Sequence, residues 1–405
     1  MLLTESLWRD EAFSALLAQH NPLQIIQLTA GDATPFIFYE LLHFWTGLFG
    51  NSEVAMRGLT TLFFLATVVV MYLVGRLRNR RTGLWLAALT LTQPLLFYYA
   101  FEVRAYSLLA LLTALTVYFY LSPRKILLGI SAAALLYTHL FGVWVVATLL
   151  LWSIIKKNIS WPLVLAVLAF VPWLPSYLSV SRLVQPFLPP PDLRDLATKL
   201  GLIGAPILIL LLPYWKKVVT DKNFWLFATL WAGPIAGAFL VSQVKPFFLE
   251  RYLIVSVPAQ LLLAGLTLGE RFSQALLGLA VAAQLTASLL TWSTPHKAPF
   301  RELAVAVKSE IKSGDVVLNG TSLTYFESQY YGLNAKIYSP YSDVPYYVGK
   351  VLIPDQDILK ALPAAARYWV IELGEPGGMV GEPFPGILKR TEDFGRLKLS
   401  LYEPS

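Results

Sequence analysis

Charge is absent from most of this chain in long unbroken runs, and that constrains the fold more than any other feature. Uncharged apolar stretches cover 58–75, 82–101, 105–123, 158–181, 200–215, 223–244, 252–269 and 272–295. A helix that crosses a bilayer needs about 17–25 such residues in a row. The run 126–155 is longer, and its flanks decide how it folds. Arg124 and Lys125 precede it, Lys156 and Lys157 follow it, and basic residues favour the cytoplasmic side. With both flanks on one side the run must cross twice, as a short hairpin turning near Tyr137-Thr138-His139. The spacing therefore predicts an all-α polytopic membrane bundle of about ten crossings over residues 1–292.

Composition agrees. Only 14% of the 405 residues are charged and 56% are apolar, where a soluble domain carries about 25% charge. This excludes a soluble enzyme, a disordered chain and a disulfide scaffold. With Cys 0 there is no disulfide, no thiolate nucleophile and no Cys-bound metal. The net charge of +7 is not a polyanion signal. Residues 1–292 hold 20 Lys/Arg against 12 Asp/Glu, while residues 293–405 hold 12 against 13. The excess lies in the membrane part, where topology puts it, and no nucleic acid partner is expected.

The basic clusters Arg76–Arg81, Arg124–Lys125, Lys156–Lys157, Lys216–Lys222 and Arg271 share the inner side with only Asp221 and Glu270. Ten crossings then leave the start of the chain and the 293–405 tail outside. Segment 33–49 contains Glu40 and His43, and counting it as a crossing would reverse every loop. It is read as an interfacial helix on the outer leaflet. The tail has ordinary soluble composition and is expected to be a separate extracytoplasmic α/β domain. Its pattern predicts helices at 299–312, 321–331 and 355–365, and strands at 315–319, 336–339, 367–373 and 396–402.

None of the predicted spans carries a charge near its middle. Coupled transporters usually need ionisable groups at that depth. The outer-side charges collect instead at helix ends: Asp10, Glu11, Asp32, Arg57, Glu102, Arg104, Glu250 and Arg251, with His139 at the hairpin tip. Asp10-Glu11 fits a carboxylate general base that could share a divalent ion with a second acid. Local context alone favours the plainer reading, an acid pair at a helix N-terminus that suits the macrodipole. Glu102 and Arg104 could serve a site or pair with each other. Arg251 suits a phosphate by bidentate bonding, or with Tyr252 forms an interfacial anchor. His139 fits a polar turn residue as well as a ligand.

Several segments, in order, resemble the GT-C superfamily of polytopic glycosyltransferases, in the branch of protein O-mannosyltransferase and lipid A aminoarabinose transferase. They are Trp8-Arg9-Asp10-Glu11-Ala12, Asp32-Ala33-Thr34-Pro35-Phe36-Ile37-Phe38-Tyr39 and Leu42-His43-Phe44-Trp45. Next come Phe49-Gly50-Asn51-Ser52-Glu53 with Arg57, and Tyr99-Ala100-Phe101-Glu102-Val103-Arg104-Ala105-Tyr106-Ser107. Tyr137-Thr138-His139 and Glu250-Arg251-Tyr252-Leu253 with Pro258 complete the set. The resemblance runs over nearly the whole chain.

The resemblance implies a transferase that takes a sugar from a polyprenyl-phosphate donor at the outer face of the plasma membrane. The acceptor would be a glycan, a lipid or a protein. Asp10 takes the place of the first-loop catalytic acid, with Glu11 beside it, and Glu102 that of the second-loop acid. Asp10 would deprotonate the acceptor. Arg251 and Arg104 would balance the leaving phosphate, while Glu102 would orient the acceptor or a divalent cation (Mg or Mn) shared with Asp10. Asp32, Arg57, His139 and Tyr252 complete the expected substrate-binding set.

Three departures stand out. Pro35-Phe36-Ile37 replaces the family's Pro-Pro-Leu, the second-loop acid is Glu rather than Asp, and only nine residues precede Asp10. The family has a membrane helix there, so a first helix is expected to be missing from this chain. The rival reading is a transporter or flippase for a lipid-linked glycan. It calls for a polar path through the bilayer, which the spans lack.

Overall fold

A computed structural model describes residues 2–32, 34–183, 188–268, 271–374 and 384–404 of the chain. Ala33, at the start of the expected interfacial helix, and Glu270, expected on an inner loop, lie outside the described residues. Each uncharged run becomes helix, and the breaks between helices follow local chemistry. The Glu53–Arg76 helix starts where the Ser52 side chain accepts the Ala55 N–H, and it carries Glu53 in its first turn and Arg76 in its last. Both charges favour the helix dipole. The 82–101 run is split: Gln93 caps a new helix, Pro94–Tyr99, whose first residue is a proline. The 126–155 run forms two helices, Lys125–Leu136 and Gly142–Ile155, and the chain turns at Tyr137-Thr138-His139.

Among the described residues, four helical stretches are long and apolar enough to cross a membrane: Glu53–Arg76, Trp161–Leu183, Phe224–Val241 and Gln274–Ser293. A fifth is added if the pair Leu193–Leu202 and Ile207–Val218, bent by 84°, counts as one span. This is fewer than the ten of the sequence count, and the difference is one of length. The hairpin helices have 12 and 14 residues, about 18 and 21 Å at 1.5 Å per residue. A hydrocarbon core is about 30 Å thick. The Ile37–Phe49 helix has 13 residues, also short of a crossing, and leaves Phe44, Leu48 and Phe49 exposed.

The tail builds a six-stranded sheet from β1 (Asp315–Asn319), β2 (Lys336–Tyr338), β3 (Ile358–Leu359), β4 (Arg367–Leu373), β5 (Ile387–Phe394) and β6 (Leu397–Glu403), in the order β3-β2-β1-β4-β6-β5. The pairs from β3 to β4 are parallel, and β6 runs antiparallel to both β4 and β5. The Phe300–Glu310 helix packs on the sheet through Phe300, Leu303 and Val307. Two expectations are corrected. The helix at 355–365 is a single 3₁₀ turn at Asp355–Asp357 followed by β3, because Ile358 and Leu359 pair with β2 and Pro363 disfavours helix at the residue before it. Strand β5 went unseen because its side chains are mostly exposed and charged, so apolar alternation is absent.

The tail does not stand apart from the bundle. Tyr325, Phe326, Ile337, Val348 and Ile353 belong to the same continuous apolar core as the bundle helices. Phe13 meets Phe326 edge-on at 5.2 Å. Gly349, at φ +89°, leaves room for that ring, since a Cβ there would come within 2.8 Å of it. Polar contacts frame the seat: Arg301 pairs with Glu53 at 2.7 Å, and the Tyr331 hydroxyl donates to Glu53 at 3.0 Å. This fit places the tail directly over the first loop.

Candidate active site

The first loop is tied down by a buried acid. The Arg9–Leu17 helix begins with Glu11 in its first turn. Arg57 donates Nε to Oε1 of Glu11 at 3.1 Å and Nη2 to Oε2 at 2.8 Å. Lys297 Nζ reaches Oε2 at 2.7 Å and the Val103 N–H reaches Oε1 at 2.9 Å. The remaining Arg57 donors go to the carbonyls of Leu3, Glu5 and Ser6. Neither side chain of the Arg57–Glu11 pair has exposed surface. Burial alone would push the Glu11 carboxyl up, but Lys297 and Arg57 outweigh it and hold it below the ordinary range. Glu11 and Arg57 therefore have no face open to a substrate. They join the first loop, the Glu53–Arg76 helix, the second loop and the tail linker.

Asp10, one residue earlier, points the other way. Its Oδ1 accepts from Arg9 Nε at 3.1 Å, and Arg251 Nη1 stands 3.9 Å from Oδ2. Burial would raise this carboxyl, yet Arg9, Arg104 and Arg251 together lower it to about 2. Arg104 Nη1 reaches the Asp10 carbonyl at 3.3 Å, the Ser14 hydroxyl at 3.4 Å and the Tyr39 hydroxyl at 3.3 Å. Asp32 accepts from the Thr34 hydroxyl at 2.9 Å, and burial lifts it to about 6.

Glu102 lies in the turn between the Pro94–Tyr99 and Tyr106–Leu121 helices. It is buried, and its Oε1 has no hydrogen-bond partner. Burial raises it to about 7, with Lys297 pulling down and Glu11 pushing up. It does not pair with Arg104.

Arg251 is the second residue of the Glu250–Ser256 3₁₀ segment and also keeps a buried donor, Nε, without a partner. Its guanidinium lies 5.5 Å over the Tyr252 ring and 6.0 Å over that of Trp8. Tyr252 packs in turn on His139 at 5.4 Å and Phe141 at 5.2 Å. The Phe141 N–H points at His139 Nδ1 at 3.2 Å, which assigns that ring's proton to Nε2. Burial, then Arg104 and Arg251, lower His139 to about 3, so the imidazole is neutral at physiological pH.

A cavity of about 650 Å³ opens between bundle and tail. Arg9, Glu102, Arg251 and Lys297 line it with apolar Pro94, Leu95 and Leu202, and the tail adds Leu323, Leu397, Glu327 and Arg396. Lys297, Glu327 and Arg396 were not singled out from sequence. Lys297 had a signal, as the first base after the last span on a side otherwise dominated by acids. Glu327 and Arg396 had none, because only the fold of the tail brings them to the cavity.

A divalent cation does not fit these residues. Among the described residues no group of three His, Asp or Glu side chains could hold one, and Asp10 already faces two guanidinium groups. A wall that sets cationic side chains, among them Arg251 with its unpartnered Nε, beside apolar ones suits a ligand with an anionic head and an apolar chain.

This arrangement, a helical bundle with acids on the loops at one end and a small α/β tail packed over them, is the fold of two solved structures. The chain aligns with the crystal structure of ArnT from Cupriavidus metallidurans in the apo state. The TM-score is 0.68 at 12% identity, covering 99% of this chain and 94% of that one. The same protein bound to undecaprenyl phosphate aligns at a TM-score of 0.63 and 12% identity, over 99% and 95%. No protein-family model matches the chain, and no curated protein matches it in sequence.

Proposed function

We propose that this protein transfers a sugar from a polyprenyl-phosphate donor to an acceptor at the outer face of the plasma membrane, in a cavity between a membrane domain (1–292) and an extracytoplasmic domain (293–405). The ArnT structure with undecaprenyl phosphate supports a donor of this kind, since the two chains share a fold along nearly their whole length. The ten-crossing topology, with both loops and the tail outside, belongs to the same proposal.

The observation that carries the reading is that Glu102 Oε1 and Arg251 Nε, both buried and both without a partner, belong to residues lining one cavity. Arg251, with Arg9 and Lys297 beside it, takes the donor phosphate. The acceptor oxygen attacks the sugar carbon, the carbon–oxygen bond to phosphate breaks, and the bonding pair leaves with the lipid phosphate. The acceptor proton passes to Glu102. Asp10 was the expected base, but a carboxyl held near 2 by three arginines binds a proton poorly, and a base near the working pH is more effective. Asp10 instead holds Arg251 and Arg9 in place. Asp32, His139 and Tyr252 shape the wall behind them.

The test is transfer from a defined polyprenyl-phosphate sugar by the purified full chain in detergent. Glu102→Gln should lose most turnover while donor binding persists. Arg251→Ala should weaken donor binding. Normal turnover by folded Glu102→Gln would remove the base assignment, and absence of transfer from every lipid-phosphate sugar would remove the activity.

A further inference from the structure

A second cavity, of about 610 Å³, lies at the opposite end of the bundle. Its position follows from helix direction. Arg57 sits near the start of the Glu53–Arg76 helix, whereas Val74, Gly75, Leu77 and Arg78 line the second cavity at its far end. Tyr106 begins its helix at the active site, and Tyr120 and Leu121 end it here. From Arg57 to Gly75 the rise is about 27 Å, so the two cavities are separated by nearly the thickness of a membrane.

The walls are apolar below and basic at the mouth. Leu86, Phe227, Leu262 and Leu266 provide apolar lining, and Tyr120 and Trp152 are aromatic. Close helix contact keeps this space between helices: a Cβ on Gly75 would fall 2.6 Å from the Gly83 Cα. Arg78, Lys156 and Lys222 supply three positive charges. Asp221 takes up one of them, since it pairs with Arg78 at 3.1 Å. Lys156 lies 5.4 Å over the Trp152 ring, and neither it nor Lys222 has an ion-pair partner among the described residues. Two ammonium groups with no ion-pair partner among the described residues therefore stand at the mouth of this cavity.

The positive-inside rule accounts for the sign of this charge. It does not account for a built space between helices beneath it. A free phosphate would use the lysines and leave the apolar wall in contact with water. A phospholipid satisfies both, with its headgroup at the lysines and the start of its chains on the leucines.

We propose that this cavity binds an anionic membrane lipid from the leaflet opposite the active site, with its phosphate held by Lys156 and Lys222. The site is independent of the transfer reaction, and binding tests it without any assay of turnover.

The purified full chain is titrated in detergent with phosphatidylglycerol, phosphatidylcholine of the same chains, or inorganic phosphate, and bound lipid is counted by native mass spectrometry. Both lysines are exposed, so Lys156→Gln with Lys222→Gln should leave the fold intact, as a matching thermal melt confirms. Each basic residue near a membrane surface contributes about 1 kcal/mol, so the double variant should weaken phosphatidylglycerol binding by roughly 30-fold. The paired Lys→Arg changes should retain it, and Arg251→Ala in the other cavity should leave this component untouched. Phosphatidylglycerol binding that is equal in the native and double-Gln proteins would overturn the site. Equal binding of phosphatidylcholine, or displacement by millimolar phosphate, would overturn the anionic lipid as its ligand.

Discussion

Glu102 and Arg104 stand two residues apart in one short turn and face opposite ways. The carboxyl lines the cavity within reach of the charge on Lys297, and the guanidinium turns back to the Asp10 carbonyl, Ser14 and Tyr39. An acid and a base that could have neutralised each other are held apart by the first loop. Arg104 is tied to the first loop and the Ile37–Phe49 helix, and Glu102 keeps a buried oxygen without a partner.

Glu102→Gln should lower the turnover number by about 10²- to 10⁴-fold, the usual cost of removing a general base, with a smaller change in KM. Because burial raises this carboxyl from 4.5 to about 7, its basic form grows as pH rises through 7. The rate should fall on the acid side of about 7, and a pH profile of kcat/KM checks it. A flat profile from 5 to 8 would contradict the assignment.

Arg251→Lys should bind donor more weakly than the native protein, and Arg251→Ala more weakly still. Lysine keeps the charge but loses the planar fork that can meet two phosphate oxygens at once. Donor KM should rise at each step, while the acceptor KM changes little.

Removing one partner of the buried Arg57–Glu11 pair should cost about 3–5 kcal/mol, since it leaves an uncompensated charge in the interior. Glu11→Gln and Arg57→Met should each lower the melting temperature, and combining them should recover part of the loss. The sign with pH follows from the depressed carboxyl. Its stabilisation is present above the ordinary value of 4.5 and is lost as pH falls below it. Melting of native and Glu11→Gln proteins should therefore converge in acid.

The seat of the tail should depend on rings more than on charges. Arg301 is 39% exposed in its pair with Glu53, so Arg301→Ala should change stability by less than about 1 kcal/mol. Phe13→Ala removes a buried ring that packs on Phe326 and should cost about 3–5 kcal/mol. Denaturant melts of the two variants compare them directly.

Topology can be read with single cysteines, because the chain has none of its own. A cysteine in place of Asn51 should react with an impermeant reagent in intact cells, and one in place of Asn79 should not. The reverse pattern would place the Asp10 loop inside.

Helices were legible where lack of charge marked them, and the hairpin turn at Tyr137 was legible because bases flanked both its ends. Helix length was not legible. Breaks such as Gln93-Pro94 depend on capping within an unbroken apolar run, and hydropathy does not register them. In the site, sequence offered Asp10 and Glu11 as one acidic pair. Only three-dimensional partners separate them, as Arg57 and Lys297 close off Glu11 while three arginines hold Asp10. Strand β5 and Glu327 depended on the tail's packing, which no periodicity announces.

The bond from Lys297 to Glu11 bears on how such proteins can be recombined. Lys297 sits in the linker, so the seam between bundle and tail runs through the ion-pair cluster around Glu11. Grafting a foreign tail at this junction would carry off the lysine that neutralises Glu11, and with it one wall of the cavity. Chimeras that keep 293–299 from the parent should tolerate a new tail better than those cut at 292, and natural exchange of tails would meet the same barrier.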